Sequence, residues 1–155
     1  MKVALVFHGL SYGYNNKGEY SSITQDSFDS IKKRILNKKI LEKNKIKYDI
    51  FFHSWNSTNN EQVLKIIKPC KYIFEDRRDF SDKCSQLKTT NNLISKNLKD
   101  FTNRKNVLES IYSRFYSMYQ SIKLLESNGE YDYIIVTRFD IFISSKLNIS
   151  KSVDP

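Results

Sequence analysis

Three places in the sequence put side chains able to bind or react directly after a run of apolar residues. Tyr131 to Val136 leads into Thr137-Arg138-Phe139-Asp140, Val3 to Phe7 leads into His8-Gly9, and Tyr48 to Phe52 leads into His53-Ser54-Trp55-Asn56. A guanidinium and a carboxylate two residues apart are costly to bury without partners. A phosphate beside Arg138 and a divalent ion or sugar hydroxyl beside Asp140 would satisfy both, and so would an ion pair at the rim of a sheet. His8 and His53 can face one another as donors to phosphate or as a metal pair, or can be hydrogen-bonding residues of the framework. Trp55 can stack on a base or sugar, or cover the core. A fourth pattern, Ser110, Arg114, Ser117 and Ser121, follows helical spacing. Such a stripe lets a nucleotide or a sheet approach closely, or is an ordinary helix shoulder.

The elements that must position these residues follow from periodicity. The run from Val3 to Phe7 is short, β-branched and aromatic, and reads as a buried parallel strand emptying into a glycine-containing loop. Phe28, Ile31 and Ile35 fall at helical spacing behind a cap at Thr24 or Asp26, and the helix fades near 37–39. Strands are expected near 48–53 and 71–75, with a short helix from about Asn60 to Ile67 between them that Pro69 stops. Residues 76–102 lose periodicity and read as a long excursion with one irregular helix. Residues 104–127 make the most regular helix, with Val107, Leu108, Ile111, Phe115, Met118, Tyr119, Ile122 and Leu125 as its apolar face. Phe115, Met118 and Ile122 are therefore expected to be buried, and Asn128-Gly129 to end the helix. The run at 132–137 has no polar alternation and predicts a central strand covered on both faces.

The order β-α-β-α-β with a later helix and strand predicts a three-layer α/β/α domain around a mostly parallel sheet, Rossmann-like, spanning 1–143, with a polar tail at 144–155. In such sheets ligands bind beyond the carboxyl ends of the strands, where all three apolar runs deliver their polar residues.

Composition sets the outer limits. The chain has 155 residues, enough for one domain with a substantial core. Hydrophobic residues make up 39%, too many for a disordered chain. Twenty-six Lys+Arg against 17 Asp+Glu leave a net charge of +9, which favours phosphorylated or polyanionic partners and allows peripheral association with a membrane through a basic surface. Lysine runs are also common on solvated helix faces. A nucleic-acid-binding domain is the rival reading, but the lysines form no single recognition helix and the aromatics sit where a core needs them. Cys70 and Cys84 have no metal-ligand spacing, and with no secretory segment they predict reduced thiols in the cytoplasm. No apolar stretch is long enough for a transmembrane segment.

Ser113 to Lys123 followed by Tyr131 to Asp140 resembles the helix, strand and DxD passage of GT-A-type glycosyltransferases. Tyr48 to Asn56, Lys68 to Glu75 and Thr137 to Asp140 are similar to a group of bacterial, phage and giant-virus proteins described as glycosyltransferases. The resemblance implies a nucleotide-sugar donor and a glycan acceptor. It implies a donor pocket lined by His8, Gly9, His53, Trp55, Arg114, Ser117, Arg138 and Asp140, and a divalent cation, Mn or Mg, held by Asp140. Where the family has its first acidic residue this chain has Arg138, a fixed charge able to take over part of the metal's task. The acceptor-binding part of such enzymes follows the DxD, so with only Ile141 to Pro155 remaining the expectation is the donor half, or a non-catalytic sugar-nucleotide-binding module.

Overall fold

A computed structural model describes residues 1–14, 20–22, 25–35, 38–43, 45–56, 59–90, 105–139 and 141. In chain order the elements are β1 (Lys2–Gly9), β2 (Tyr12–Tyr14), β3 (Tyr20–Ser22), α1 (Gln25–Arg34), α2 (Lys38–Lys43), β4 (Lys47–Trp55), α3 (Asn60–Ile67), β5 (Lys71–Glu75), α4 (Ser81–Thr90), α5 (Lys105–Lys123) and β6 (Tyr133–Arg138). β1, β4, β5 and β6 form one all-parallel sheet in the order β5-β4-β1-β6, while β2 and β3 pair separately as a small antiparallel ribbon. The three-layer α/β arrangement expected from the sequence is therefore present.

Alternation along the strands assigns the two faces. Leu5, Phe7, Ile50 and Phe52 point to one side, where they join Phe28 and Ile31 of α1 with Val63 and Ile67 of α3 in the main core. Ala4, Val6 and Phe51 point to the other, towards Leu125 just past the end of α5. Phe139, immediately after β6, is 1% exposed and inserts into the first core, stacked on Phe7 at 5.4 Å and edge-on to Phe52 at 5.5 Å. This ring fixes the strand end, so Arg138 one residue earlier belongs to the α5 side of the sheet.

The N-terminal end of the sheet is tied across strands. The Lys2 N–H donates to Asp132 Oδ2 at 2.6 Å, Lys2 Nζ lies 3.3 Å from Asp49 Oδ2, and the Tyr131 hydroxyl donates to the same carboxylate at 2.9 Å. That bond and its burial push the Tyr131 phenol upward, burial being the larger cause. Cys70 and Cys84 are both free, Cys84 inside a satellite cluster under α4. Among the described residues no helix is long and apolar enough to cross a membrane.

Four expectations need correction. β6 has only β1 as a neighbour among the described residues, so it is an edge strand there, and Ile134 and Val136 are 52% and 39% exposed. An unbroken apolar run reports apolar faces but not how many neighbours a strand has. The long helix is turned differently from the prediction: Ser117 and Ser121 are fully buried, whereas Phe115 is 59% exposed and Ile122 38%. Small side chains on the sheet-facing stripe let the helix sit close, and the larger apolar stripe is left outside. The first helix ends at Arg34, before the predicted 37–39, and α2 follows it; β2 occupies a stretch read as loop, and β3 one left unassigned. The excursion contains α4 as an ordinary helix, and 91–104 lies outside the described residues, as do Thr24 and 142–155.

These placements separate two substitutions. Phe52→Ala should cost about 3–5 kcal/mol because the ring contacts Tyr72, Phe74 and Phe139 in the core. Phe115→Ala should cost less than about 1 kcal/mol. Urea unfolding of both variants checks the contrast, and equal losses would mean that α5 is rotated.

Candidate functional site

The topology selects one end of the sheet. From β1 the chain moves outward through β4 to β5 by way of α1 and α3, then returns past β1 through α5 to β6 on its other side. The connections therefore diverge between β1 and β6, and in such sheets the crevice where ligands bind lies beyond the carboxyl ends at that point. His8 pairs in register with both His53 and Arg138, so β4, β1 and β6 bring these three side by side on the α5 face. Gly9 follows at φ 107°, a left-handed conformation that side chains rarely adopt, and open space surrounds the position a Cβ would take. Its peptide turns the chain out of the sheet at the crevice.

A hydrogen-bonded chain runs beneath that turn. The Gly9 N–H donates to Ser117 Oγ at 2.8 Å, and the same oxygen lies 2.8 Å from His53 Nδ1. His53 Nε2 lies 3.1 Å from Glu75 Oε2, and the Tyr116 hydroxyl donates to both Glu75 oxygens at 3.0 Å. Arg78 closes the chain as an ion pair with Glu75 Oε1, its guanidinium 4.6 Å from the Tyr116 ring centre. Ionised Glu75 accepts from Nε2–H, and in the neutral ring that burial favours, Nδ1 is then an acceptor and takes the Ser117 hydroxyl proton; His53 O, 3.4 Å from Oγ, is the other acceptor within reach of that proton.

Charge follows the same geometry. Burial is the largest influence on His53 and pulls it below its ordinary 6.5, outweighing the opposing bond and charge of Glu75. Burial pushes Glu75 upward, but hydrogen bonds from His53, Arg78 and Tyr116 together outweigh it and hold the carboxyl below 4.5.

A second set of bonds holds the residues after Gly9. The Ser11 N–H donates to Ser54 Oγ at 3.1 Å, and the two hydroxyl oxygens are 2.6 Å apart. Ser54 donates its own proton to Trp55 O at 3.0 Å, so Ser11 is the donor between the hydroxyls.

Each residue singled out from the sequence now has a place. His8, Gly9 and Arg138 meet at the mouth of the crevice, His8 buried and Arg138 half-buried. His53 and Ser117 are fully buried beneath it and bond each other. Both nitrogens of His53 are engaged, so His8 and His53 are neighbours rather than a metal pair. Arg114 is exposed in the middle of α5, three residues before Ser117. Trp55 is 5% exposed and lies on the β5 side, its ring stacked on Tyr116 at 5.8 Å, so it covers the core. Asp140, the predicted metal ligand, lies outside the described residues. Among the described residues no group of three or more His, Cys, Asp or Glu could hold a metal ion.

Sequence reasoning missed Glu75, Arg78, Tyr116 and Ser11, and named Ser54 only as a neighbour of His53. Glu75 carried a usable signal, a carboxylate ending an apolar strand as Arg138 does. Two depressions lie elsewhere, of about 640 Å³ between Tyr48 and Lys68 and about 630 Å³ between Ile122 and Ile134. Both are at the opposite end of the sheet, away from the converging polar groups. No family model matches this chain, and no curated protein or solved structure matches it.

The two depressed groups dictate a pH profile. Unfolded His53 takes up a proton near pH 6.5 while the folded residue resists it, so stability is full above about 6.5 and falls with acidification until the folded pKa is reached. Glu75 adds a further loss below about pH 4.5. Melting temperature measured against pH should decline from about 6.5 downward, and a flat profile to about pH 5 would mean that His53 is not buried neutral.

Proposed function

We propose that the chain is the donor-binding part of a glycosyltransferase, which takes a nucleotide-sugar in the crevice between β1 and β6 for transfer of the sugar to a glycan. The observation that carries this reading is the juxtaposition of Gly9 and Arg138 at the topological switch of a parallel sheet. A backbone that leaves the sheet without a side chain permits close approach of a diphosphate, and a guanidinium beside it supplies two-pronged donors for phosphate oxygens. The resemblance of 113–123 and 131–140 to the helix, strand and acidic-motif passage of GT-A enzymes narrows the ligand from any phosphate to a nucleotide-sugar.

The residues divide by task. Arg138 neutralises the diphosphate as a fixed charge, and Arg114, exposed on α5 three residues before Ser117, is the second cation assigned to it. Gly9 gives the backbone turn against which the ligand lies. If a divalent ion accompanies the diphosphate, it supplies further charge neutralisation, with Asp140 as its predicted ligand. Binding itself is assigned to the arginines and the β1 turn.

Calorimetric titration of UDP-, GDP-, CMP- and dTDP-sugars, with manganese and with chelator, tests this. Arg138→Ala should weaken the bound donor roughly tenfold or more, the worth of a charge-assisted hydrogen bond, in a protein that still folds. Unchanged affinity in a folded Arg138→Ala protein would remove the residue that carries the reading.

A further inference from the structure

Ser117 Oγ touches the Gly9 turn and the buried imidazole at once, at 2.8 Å from each. We propose that Ser117 and His53 are positioning residues: through this hydroxyl they hold the Gly9 peptide at the crevice, and protonation of His53 rearranges that hold. In the neutral state the bonds run from Gly9 N–H to Oγ, from the Ser117 hydroxyl to Nδ1, and from Nε2–H to Glu75. When Nδ1 takes a proton from water it becomes a donor, and the hydroxyl proton must rotate to another acceptor. One is in place, His53 O at 3.4 Å from Oγ. The oxygen then accepts from two N–H groups, one of them cationic, and its bond to Gly9 weakens because a charged donor competes for the same lone pairs.

The groups around the imidazole make this rearrangement specific to His53. Glu75 of β5 faces Nε2, and Arg78 and the Tyr116 hydroxyl meet the far side of the same carboxylate. Trp55 of its own strand packs edge-on at 5.0 Å, and His8 is its neighbour in register on β1. Glu75 is ion-paired with Arg78 and held below its ordinary 4.5, so across the range from about pH 8 to about pH 5 it stays ionised and no second proton accompanies the change. Ser11 and Ser54 hold the chain two residues beyond Gly9 independently, so the effect is confined to one peptide. That this peptide meets a ligand rests on the nucleotide-sugar reading; the hydrogen-bond exchange does not.

Amide spectra of the ¹⁵N-labelled full chain, with long-range histidine ring spectra, are recorded from about pH 8 to about pH 5. The expected result is an Nε2–H tautomer at high pH, and a Gly9 amide proton that moves upfield with the same midpoint as the His53 ring. Ser117→Ala should abolish that movement and Ser117→Thr, which keeps the hydroxyl, should retain it; if either variant fails to fold, the wild-type titration alone decides. An Nδ1–H tautomer overturns the proposal, as does a Gly9 amide that stays flat while His53 titrates, or a His53 ring that stays neutral until acid unfolding. Titration of the best-binding nucleotide-sugar over the same range separates the two readings. Affinity that weakens with the Gly9 midpoint supports positioning of the ligand, whereas pH-independent affinity overturns it. Absence of nucleotide-sugar binding at every pH would sink the glycosyltransferase reading, leaving the Gly9 amide to decide the clamp.

Discussion

A neutral imidazole buried between a sheet and a helix needs a partner at each nitrogen, and satisfying His53 constrains much of the rest of this protein. Glu75 must reach it from β5, which requires the β4–β5 register in which Trp55 pairs with Glu75. Ser117 must reach it from α5, which fixes the rotation and the height of that helix over β1 and β4. Removing either partner would leave a buried polar atom unsatisfied, at a cost of about 1–3 kcal/mol. The same hydroxyl takes the Gly9 amide, so the geometry of the crevice turn depends on the interior of the domain.

This constraint explains what the sequence showed and what it hid. The strands were legible because their apolar runs end in polar residues, and the carboxyl ends of β1, β4 and β6 deliver His8, His53 and Arg138 to one face as register requires. The rotation of α5 was not legible. Phe115, Tyr119 and Ile122 lie on its outer side, while Ser117 and Ser121 face inward with Leu108, Tyr112 and Tyr116, so periodicity finds a helix and then assigns the larger apolar stripe to the core. Ser117 and Ser121 win the sheet-facing position because His53 and the close-lying strands leave room only for small side chains. Glu75, Arg78 and Tyr116 were hidden for another reason: their significance lies in pairings far apart in sequence, visible only once strand order is known. β2, β3 and α2 are too short to impose a period.

The two ends of the sheet differ in chemistry. At the N-terminal end Lys2, Asp49, Tyr131 and Asp132 bind β1 to β4 and to the residues entering β6, and every group there faces another group of the framework. Such partly exposed pairs each contribute little, but they bring three strands into register. At the C-terminal end the Gly9 N–H is held by Ser117, and Arg138 ends β6 in register with His8 beside it. An apolar strip of Ile134 and Val136 runs along the neighbouring edge, with Phe115, Tyr119 and Ile122 on the helix beside it.

The central claim is that the crevice between β1 and β6 receives the diphosphate of a nucleotide-sugar. Hydrogen–deuterium exchange with and without saturating nucleoside diphosphate tests it at the level of peptides, since bound ligand suppresses local opening where it makes contact. The account predicts slowed exchange in 8–12 and 136–139, with little change at 45–49 and 65–71. Protection confined to the lysine-bearing opposite end, or none anywhere with any nucleoside diphosphate, would contradict it.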